Sequence, residues 1–219
     1  QTAKRNWDPS DDGHNPYERM PEMRLFTYQM SKMIEEKLAQ GTLIQNEENV
    51  DYAFDLSEFF RVNDKGRFEH AAAVSKFLDN LTCGNYPYAE REYKAELKHS
   101  LWMLPRVAAA KAMEQLLNQH PVFQEYKVIL AAGDGISLEH ESDESVEEEA
   151  RNFTANEKSF ARVTRAIAEN EKTITLTVGQ LTTGVTIPQW TAVFMLSNIN
   201  SPALYFQAAF RAQNPYEFQ

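Results

Sequence analysis

Along this chain, short apolar runs of strand length alternate with longer segments whose apolar residues recur at helical spacing. From residue 99 onward, four runs predict strands: "HSLWML", "YKVILAA", "KTITLTV" and "TAVFML". These runs are nearly all apolar or β-branched, as strands buried on both faces of a sheet are. Predicted helices follow the first, second and fourth runs. The pattern therefore predicts an α/β fold with a parallel sheet covered on both faces.

Two of the predicted helices have a clear apolar face. The segment "HAAAVSKFLDNL" places apolar residues at the i, i+3, i+4, i+7 spacing of an amphipathic helix, namely Val74, Phe77, Leu78 and Leu81. The segment "VAAAKAMEQLL" has a similar face formed by Ala109, Ala112, Met113, Leu116 and Leu117.

Capping signals mark the start of two further helices. "TANE", from Thr154 to Glu157, fits a capping box and predicts a helix that turns Phe160, Val163 and Ile167 inward. In "NSPALYFQAAFRAQN", Ser201 is the predicted N-cap and Pro202 the first helical residue.

The region before residue 99 is less regular. "MRLFTYQ", Met23 to Gln29, predicts a short strand, and a short helix is expected near Ser31–Gln40. No strand alternation persists between about Leu43 and Lys98, which predicts a mainly helical insertion in which "CGNYPYAEREY" is a loop. We therefore divide the chain into 1–22, a linker or truncated start, 23–98, a first strand plus the insertion, and 99–219, the main lobe.

Composition narrows the classes of protein that fit. The 219 residues contain one cysteine, Cys83, so a disulfide framework and a thiolate metal cage are excluded, and a cytoplasmic location is expected. The net charge of −10 argues against a generic polyanion binder. Much of that charge lies in Glu139–Glu149, which predicts a solvated loop or a frayed helix start, with a basic partner as the alternative. Elsewhere the charge is closer to balanced, so a nucleic-acid surface stays possible.

Candidate chemistry lies where the third predicted strand ends. "TVGQLTTGVTIP", Thr177 to Pro188, offers backbone N–H groups and short hydroxyls that could hold a phosphate oxygen. A tight turn that needs glycine is the alternative reading. On the last helix, Gln207, Arg211 and Asn214 fall at i, i+4 and i+7 as one polar stripe. An arginine there is commonly a surface or salt-bridge residue, but beside the threonine–glycine loop it suggests a phosphate-reading surface.

Together these segments resemble known motor motifs. "LTVGQLTTGVTIPQWTAVFML" followed by "SPALYFQAAFRAQNP" is similar to the fifth and sixth motifs of superfamily 2 helicases and translocases. The spacing resembles the motors of restriction enzymes, both the Res subunit of type III systems and the motor subunit of type I systems. "HSLWMLPRVAAAKAMEQLL" resembles the strand and helix that open the second motor lobe. The resemblance covers roughly residues 99 to 215 and implies a C-terminal RecA-like lobe.

The resemblance also implies roles for single residues. Thr177, Gly179 and Thr183 would contact the nucleic-acid backbone or couple it to the nucleotide. Gly184 and Pro188 would shape the loop.

On the nucleotide side, the implied set is Gly184, Thr186, Gln207 and Arg211. Gln207 and Arg211 would be catalytic, with Arg211 stabilising the transferring phosphoryl group as an arginine finger. Two positions depart from the family pattern, because Thr186 replaces an aspartate and Asn214 replaces the final arginine.

The chain lacks a Gly-x-x-x-x-Gly-Lys-Ser/Thr loop and an Asp-Glu-x-His metal-holding strand end. The resemblance therefore implies that ATP and Mg²⁺ are held mainly by an N-terminal RecA-like lobe of the same polypeptide. The expected partners are DNA and that lobe, with nuclease or methyltransferase domains or subunits as further candidates. The isolated chain should be inactive.

Two other functions fit the sequence. A non-catalytic α/β domain could bind an anionic ligand or a protein partner, with the glycine–threonine loop as a plain turn. A self-contained hydrolase could use Asp134, which follows the second predicted strand, as a general base. The five histidines show no ligand spacing, so no metal site is predicted.

Overall fold

A computed structural model describes residues 18, 20–27, 55–84, 86–89, 91–131, 146–178 and 186–216. These residues include six α-helices, which are α1 Leu56–Phe59, α2 Ala71–Leu81, α3 Arg91–Glu96, α4 Val107–Gln119, α5 Val146–Glu169 and α6 Pro202–Ala209. They also include four strands, β1 His99–Met103, β2 Lys127–Leu130, β3 Thr173–Thr177 and β4 Ala192–Met195. Two short 3₁₀ segments cover Phe123–Glu125 and Phe210–Ala212.

The four strands form one parallel sheet in the order β2-β3-β1-β4. His99 to Met103 pair in register with Thr173 to Thr177, and Ser100 to Met103 pair on the other side with Ala192 to Met195. The predicted α/β class is confirmed, and the arrangement is consistent with a RecA-like lobe.

The two faces of the sheet carry separate hydrophobic layers. Successive side chains of a strand point to opposite faces, so Trp102 and Leu101 of β1 enter different cores. Trp102 packs with α4 in one core, whereas Leu101 packs with Val163 of α5 in the other. The segment after β3 joins the α5 side through Ile187 and Trp190, both buried. Helices α4 and α5 therefore cover opposite faces of the sheet.

The helical region before β1 packs directly on the α4 side. Phe59 and Phe77 belong to the same buried core as Trp102. Tyr88 stacks on Phe194 at a centroid distance of 5.6 Å, and its hydroxyl lies 3.1 Å from Ser100 Oγ. Burial raises the pKa of Tyr88 well above its ordinary value. Residues 55–97 thus complete the core of the sheet.

Most predicted elements from residue 71 onward are confirmed. The four apolar residues of α2 are buried, as are Ala109, Ala112, Met113 and Leu117 of α4, whereas Leu116 is only partly buried. Helix α6 begins as predicted, because Ser201 Oγ accepts a hydrogen bond from Leu204 N at 3.4 Å and Pro202 occupies the first turn.

The predicted strand Met23–Gln29 is wrong for residues 23–27, which form no strand, and the helix expected near Ser31–Gln40 lies outside the described residues. Leu25 is 70% exposed. The apolar run has no neighbouring strand to pair with among the described residues, and strand propensity without such a neighbour does not form a sheet. The predicted loop "CGNYPYAEREY" is also too long, since α3 begins at Arg91.

The capping box at Thr154 is also wrong, because α5 begins at Val146 and continues through it to Glu169. The helix thus starts inside the acidic run Glu139–Glu149. For the last part of that run, the prediction of a helix start is confirmed. The prediction that Phe160 faces inward is wrong, because Phe160 is 39% exposed, whereas Ser159, Val163 and Ile167 are buried. The i, i+4, i+8 face of the helix, with the small Ser159 at its upper end, therefore meets the sheet.

This assignment of faces predicts different costs for two substitutions on α5. Val163→Ala should lower the free energy of unfolding by about 2 kcal/mol, because it opens a cavity beside Leu101. Phe160→Ala should cost less than about 1 kcal/mol, since much of its ring is already in water. Urea denaturation of both variants measures the difference. A larger loss for Phe160→Ala would contradict the observed faces.

A buried histidine begins β1. His99 is 5% exposed, and its Nδ1 lies 2.9 Å from Thr173 Oγ1 on the paired strand. Burial, and to a lesser degree the charge of Lys98, lowers the pKa of His99 to about 4. The folded protein therefore holds this imidazole neutral at neutral pH.

This histidine should make the fold acid-sensitive. Between pH 6.5 and 4 the unfolded chain binds a proton that the folded chain excludes, so stability falls as pH falls through this window. The loss should reach about 2 to 3 kcal/mol at pH 4. Urea midpoints measured against pH should show this slope in the wild type, and the slope should flatten in His99→Gln. Equal slopes in both proteins would refute the assignment.

Candidate functional site

The carboxyl ends of β3, β1 and β4 lie side by side at one edge of the sheet. Beyond the paired residues, Leu104 N donates to Thr177 O at 2.8 Å and Leu196 N donates to Met103 O at 2.9 Å. The segments that leave β3 and β4 therefore start at the same edge, on either side of β1. These are the segments singled out from the sequence.

The chain leaves this edge in two directions. After β1 it enters α4 on one face, and after β3 it passes to the other face, where Ile187 and Trp190 are buried. In open parallel sheets, such a divergence between neighbouring strands opens a crevice at the carboxyl ends, and ligands bind there. The junction between the carboxyl ends of β1 and β3 is thus the candidate ligand-binding position of this fold.

The predicted loop residues are only partly described. Thr177 is fully buried as the last residue of β3, while Thr186 is exposed. Gly179, Thr183 and Gly184 lie outside the described residues.

Beyond this loop the chain is anchored to the sheet. Trp190 N donates to Ile187 O at 3.2 Å, and both side chains are buried under the sheet. Thr186 therefore lies next to a fixed point of the chain. The nucleic-acid and nucleotide roles implied for this loop stay predictions.

Helix α6 carries the second group of predicted residues. Gln207 is exposed, and Arg211 is half-buried in the 3₁₀ segment that follows the helix. Burial lowers the pKa of the Arg211 guanidinium, which nevertheless stays charged at neutral pH. Ala208 is fully buried and fixes which side of α6 faces the core.

The regular i, i+4, i+7 stripe predicted for α6 is not formed. The α-helix ends at Ala209, the next three residues adopt the tighter 3₁₀ form, and Asn214 lies beyond both. Asn214 Nδ2 instead donates to Arg211 O at 3.1 Å. Asn214 therefore holds the backbone at Arg211, a role that the sequence did not reveal.

An exposed aromatic residue precedes each member of the predicted polar pair. Phe206 and Phe210 are each about half exposed, and their rings stack at a centroid distance of 6.0 Å and an angle of 24°. Sequence reasoning missed this surface, although the i, i+4 spacing of two phenylalanines is visible in "YFQAAF". An apolar pair of this kind beside Gln207 and Arg211 suits contact with another protein surface.

Other candidate chemistry finds little support in the described residues. They contain no group of three or more His, Cys, Asp or Glu side chains placed to hold a metal ion. His120 lies near Asp79 at 3.2 Å and accepts from Val122 N, which is a structural arrangement. Asp134 lies outside the described residues.

No helix in the described part of the chain has the length and apolar character needed to cross a membrane.

Comparison with known proteins points to restriction–modification systems. The chain is 28% identical over 158 residues to a Mycoplasma pneumoniae protein provisionally named as the C-terminus of a type II restriction enzyme and methyltransferase. The match covers 68% of this chain and 20% of that relative. This chain thus spans about a fifth of the relative's length. It is similar to a restriction–modification protein over most of its own length.

No protein-family model matches the chain. No solved structure matches it either.

Proposed function

We propose that this chain is the second motor lobe of an ATP-dependent DNA helicase or translocase in a restriction–modification system. The main observation that supports this proposal is the strand order β2-β3-β1-β4, in which β3 and β4 flank β1. The loop that resembles the fifth helicase motif and the helix that resembles the sixth therefore leave the same edge of the sheet. Similarity to a restriction–modification protein supports the choice of system.

In this proposal, ATP and Mg²⁺ lie between this lobe and an N-terminal RecA-like lobe. The N-terminal lobe would supply the phosphate-binding loop and the metal-holding acids, which this sequence lacks. Arg211 would reach across the cleft and stabilise charge on the transferring phosphoryl group. Gln207, one helical turn earlier, would orient the same phosphates, with Gly184 and Thr186 beside the nucleotide.

The surface around these residues fits such a cleft. Gln207 is exposed and Arg211 half-buried, and each directly follows one of the exposed phenylalanines, Phe206 and Phe210. Covering those rings with a second lobe would remove apolar surface from water and exclude water from the phosphates. DNA would lie along the loop after β3, where Gly179 and Thr183 would offer backbone N–H and hydroxyl groups. Thr177 would act by holding the start of that loop, because its own side chain is buried.

Replacing Arg211 tests the proposal. In a polypeptide that carries both lobes, Arg211→Ala should reduce DNA-stimulated ATP turnover by about a thousandfold, the usual range for a lost arginine finger. Steady-state phosphate release measures this, and a thermal melt checks that the variant is folded. Arg67→Ala, at an exposed arginine in the helical region, is the matched control and should keep wild-type turnover. Wild-type turnover in Arg211→Ala would refute the motor assignment.

The chain by itself should hydrolyse no ATP above background, because it lacks the loop that grips the phosphates. Phosphate release from the purified 219-residue chain, with Mg²⁺ and duplex DNA present, measures this. Turnover that survives purification and disappears in an Asp134→Asn variant would instead favour the self-contained hydrolase.

A further inference from the structure

Helix α5 carries a row of cations on its exposed side. Lys158, Arg162 and Arg165 are all exposed, and at 3.6 residues per turn they lie within a sector of about 60°. The core face of the same helix, which includes Val163, points away from this sector. We call these three residues the α5 basic stripe.

On its side of the helix the stripe has an acidic neighbour, Glu169, one turn beyond Arg165, but it keeps a net positive charge. None of its members makes an ion pair within the described part of the chain. Neighbours at spacings of three and four, Lys158 with Arg162 and Arg162 with Arg165, carry like charges, which destabilise a helix slightly. Such a cluster stands out in a chain of net charge −10, and an anionic partner would relieve the repulsion.

Its position is fixed by a hydrogen bond. Arg162 Nη1 donates to Leu130 O at 2.9 Å, and Leu130 is the last residue of β2. Arg162 therefore lies at the carboxyl edge of the sheet, beside the strand that neighbours β3, with Lys158 and Arg165 about one turn away from it on either side along the helix. Helix α5 begins sixteen residues earlier, at Val146, so it extends roughly 24 Å along its axis before Arg162.

The length of the stripe suits an extended anion. Lys158 to Arg165 rise about 10 Å along the helix, and one strand of duplex DNA carries a phosphate about every 3.4 Å along its axis. Three exposed, flexible cations thus match about three successive phosphates. The three side chains are exposed and spread along the helix, so a small anion would contact few of them at once, whereas a polyanion could contact all three.

We propose that the α5 basic stripe binds the phosphate backbone of duplex DNA at the carboxyl end of β2, beside β3. The inference rests on the proposed function for its choice of DNA as the polyanion. It adds a contact surface that the motif-like segments do not contain. The contact is with phosphates, so it positions the duplex without reading its sequence.

The test measures how DNA affinity depends on salt. Fluorescence anisotropy of a labelled duplex of about 20 base pairs, titrated with the 219-residue chain at several NaCl concentrations, gives the slope of log K against log salt. Lys158→Gln with Arg165→Gln should make that slope shallower by about 1.8, since each lost phosphate contact contributes about 0.9. Affinity near 0.1 M salt should fall on the order of tenfold or more, equally for unrelated sequences.

Lys65→Gln with Lys76→Gln is the matched control. It makes the same change in charge at exposed positions of the helical region, and the slope should stay at its wild-type value. Thermal melts of all proteins check folding, and Arg162 is kept because its side chain also bonds Leu130 O. Equal slopes for the two double variants, or no salt-dependent binding by the folded wild type, would overturn the proposal.

The result is independent of the ATPase test. If Arg211→Ala left ATP turnover intact while the stripe variant lost DNA affinity, the motor assignment would fail and the stripe would stand. If Arg211 proved essential while both double variants bound DNA alike, the reverse would hold. Loss of binding to single-stranded RNA alone, with duplex binding unchanged, would also overturn the proposal.

Discussion

The pairing of β1 on both sides is the interaction on which the rest of this structure depends. Its five residues are buried, and it is joined in parallel register to β3 on one side and β4 on the other. Leu101 enters the core under α5, and Trp102 enters the core shared with α4 and the N-terminal helices. Since successive side chains alternate between faces, this one strand ties both layers to the sheet. Its position also puts the ends of β3 and β4 at one edge.

The threonines of β3 have a structural role inside the sheet. Thr173, Thr175 and Thr177 alternate with Ile174 and Leu176, and all five are buried. Their β-branched shape suits a strand, and the Thr173 hydroxyl is occupied by His99. Thr175 Oγ1 has no hydrogen-bond partner in the described residues, and an unpaired buried hydroxyl costs roughly 1 to 3 kcal/mol. The β3 threonines therefore serve mainly to pack the central layer of the sheet.

Hydrophobic periodicity predicted the elements whose partners are close in sequence or whose faces are wholly apolar. Helices α2 and α4 belong to this group. The four strands were predicted from runs of apolar and β-branched residues, although threonines fill one face of β3. The "TANE" pattern failed because a capping box matters only where a helix begins. No glycine or proline interrupts Val146–Glu169, so nothing stops the helix from starting earlier.

The site was harder to predict for a related reason. Spacing along α6 assumed 3.6 residues per turn as far as Asn214, but the last turn is 3₁₀, so the side chains rotate away from one stripe. The exposure of Phe206 and Phe210 depends on what packs against α6 in three dimensions, and sequence periodicity alone does not contain that. The α5 stripe lies within the helix predicted from Thr154, but its place at the carboxyl end of β2 depends on the bond from Arg162 to Leu130 O, which spacing along the sequence does not contain.

The two cationic surfaces differ in the anions they suit. Arg211 is half-buried in a segment that contacts β4, and a partly desolvated charge acts strongly on a compact anion at short range. The α5 stripe is exposed beside β2, so salt and water screen its charges. Its effect depends on several of these charges contacting the same extended anion. Between them lie four strands whose ladders run without a break, so a displacement at one side of the sheet carries the other side with it. In the proposed motor, that link would couple closure around a nucleotide at β4 to movement of a duplex at β2.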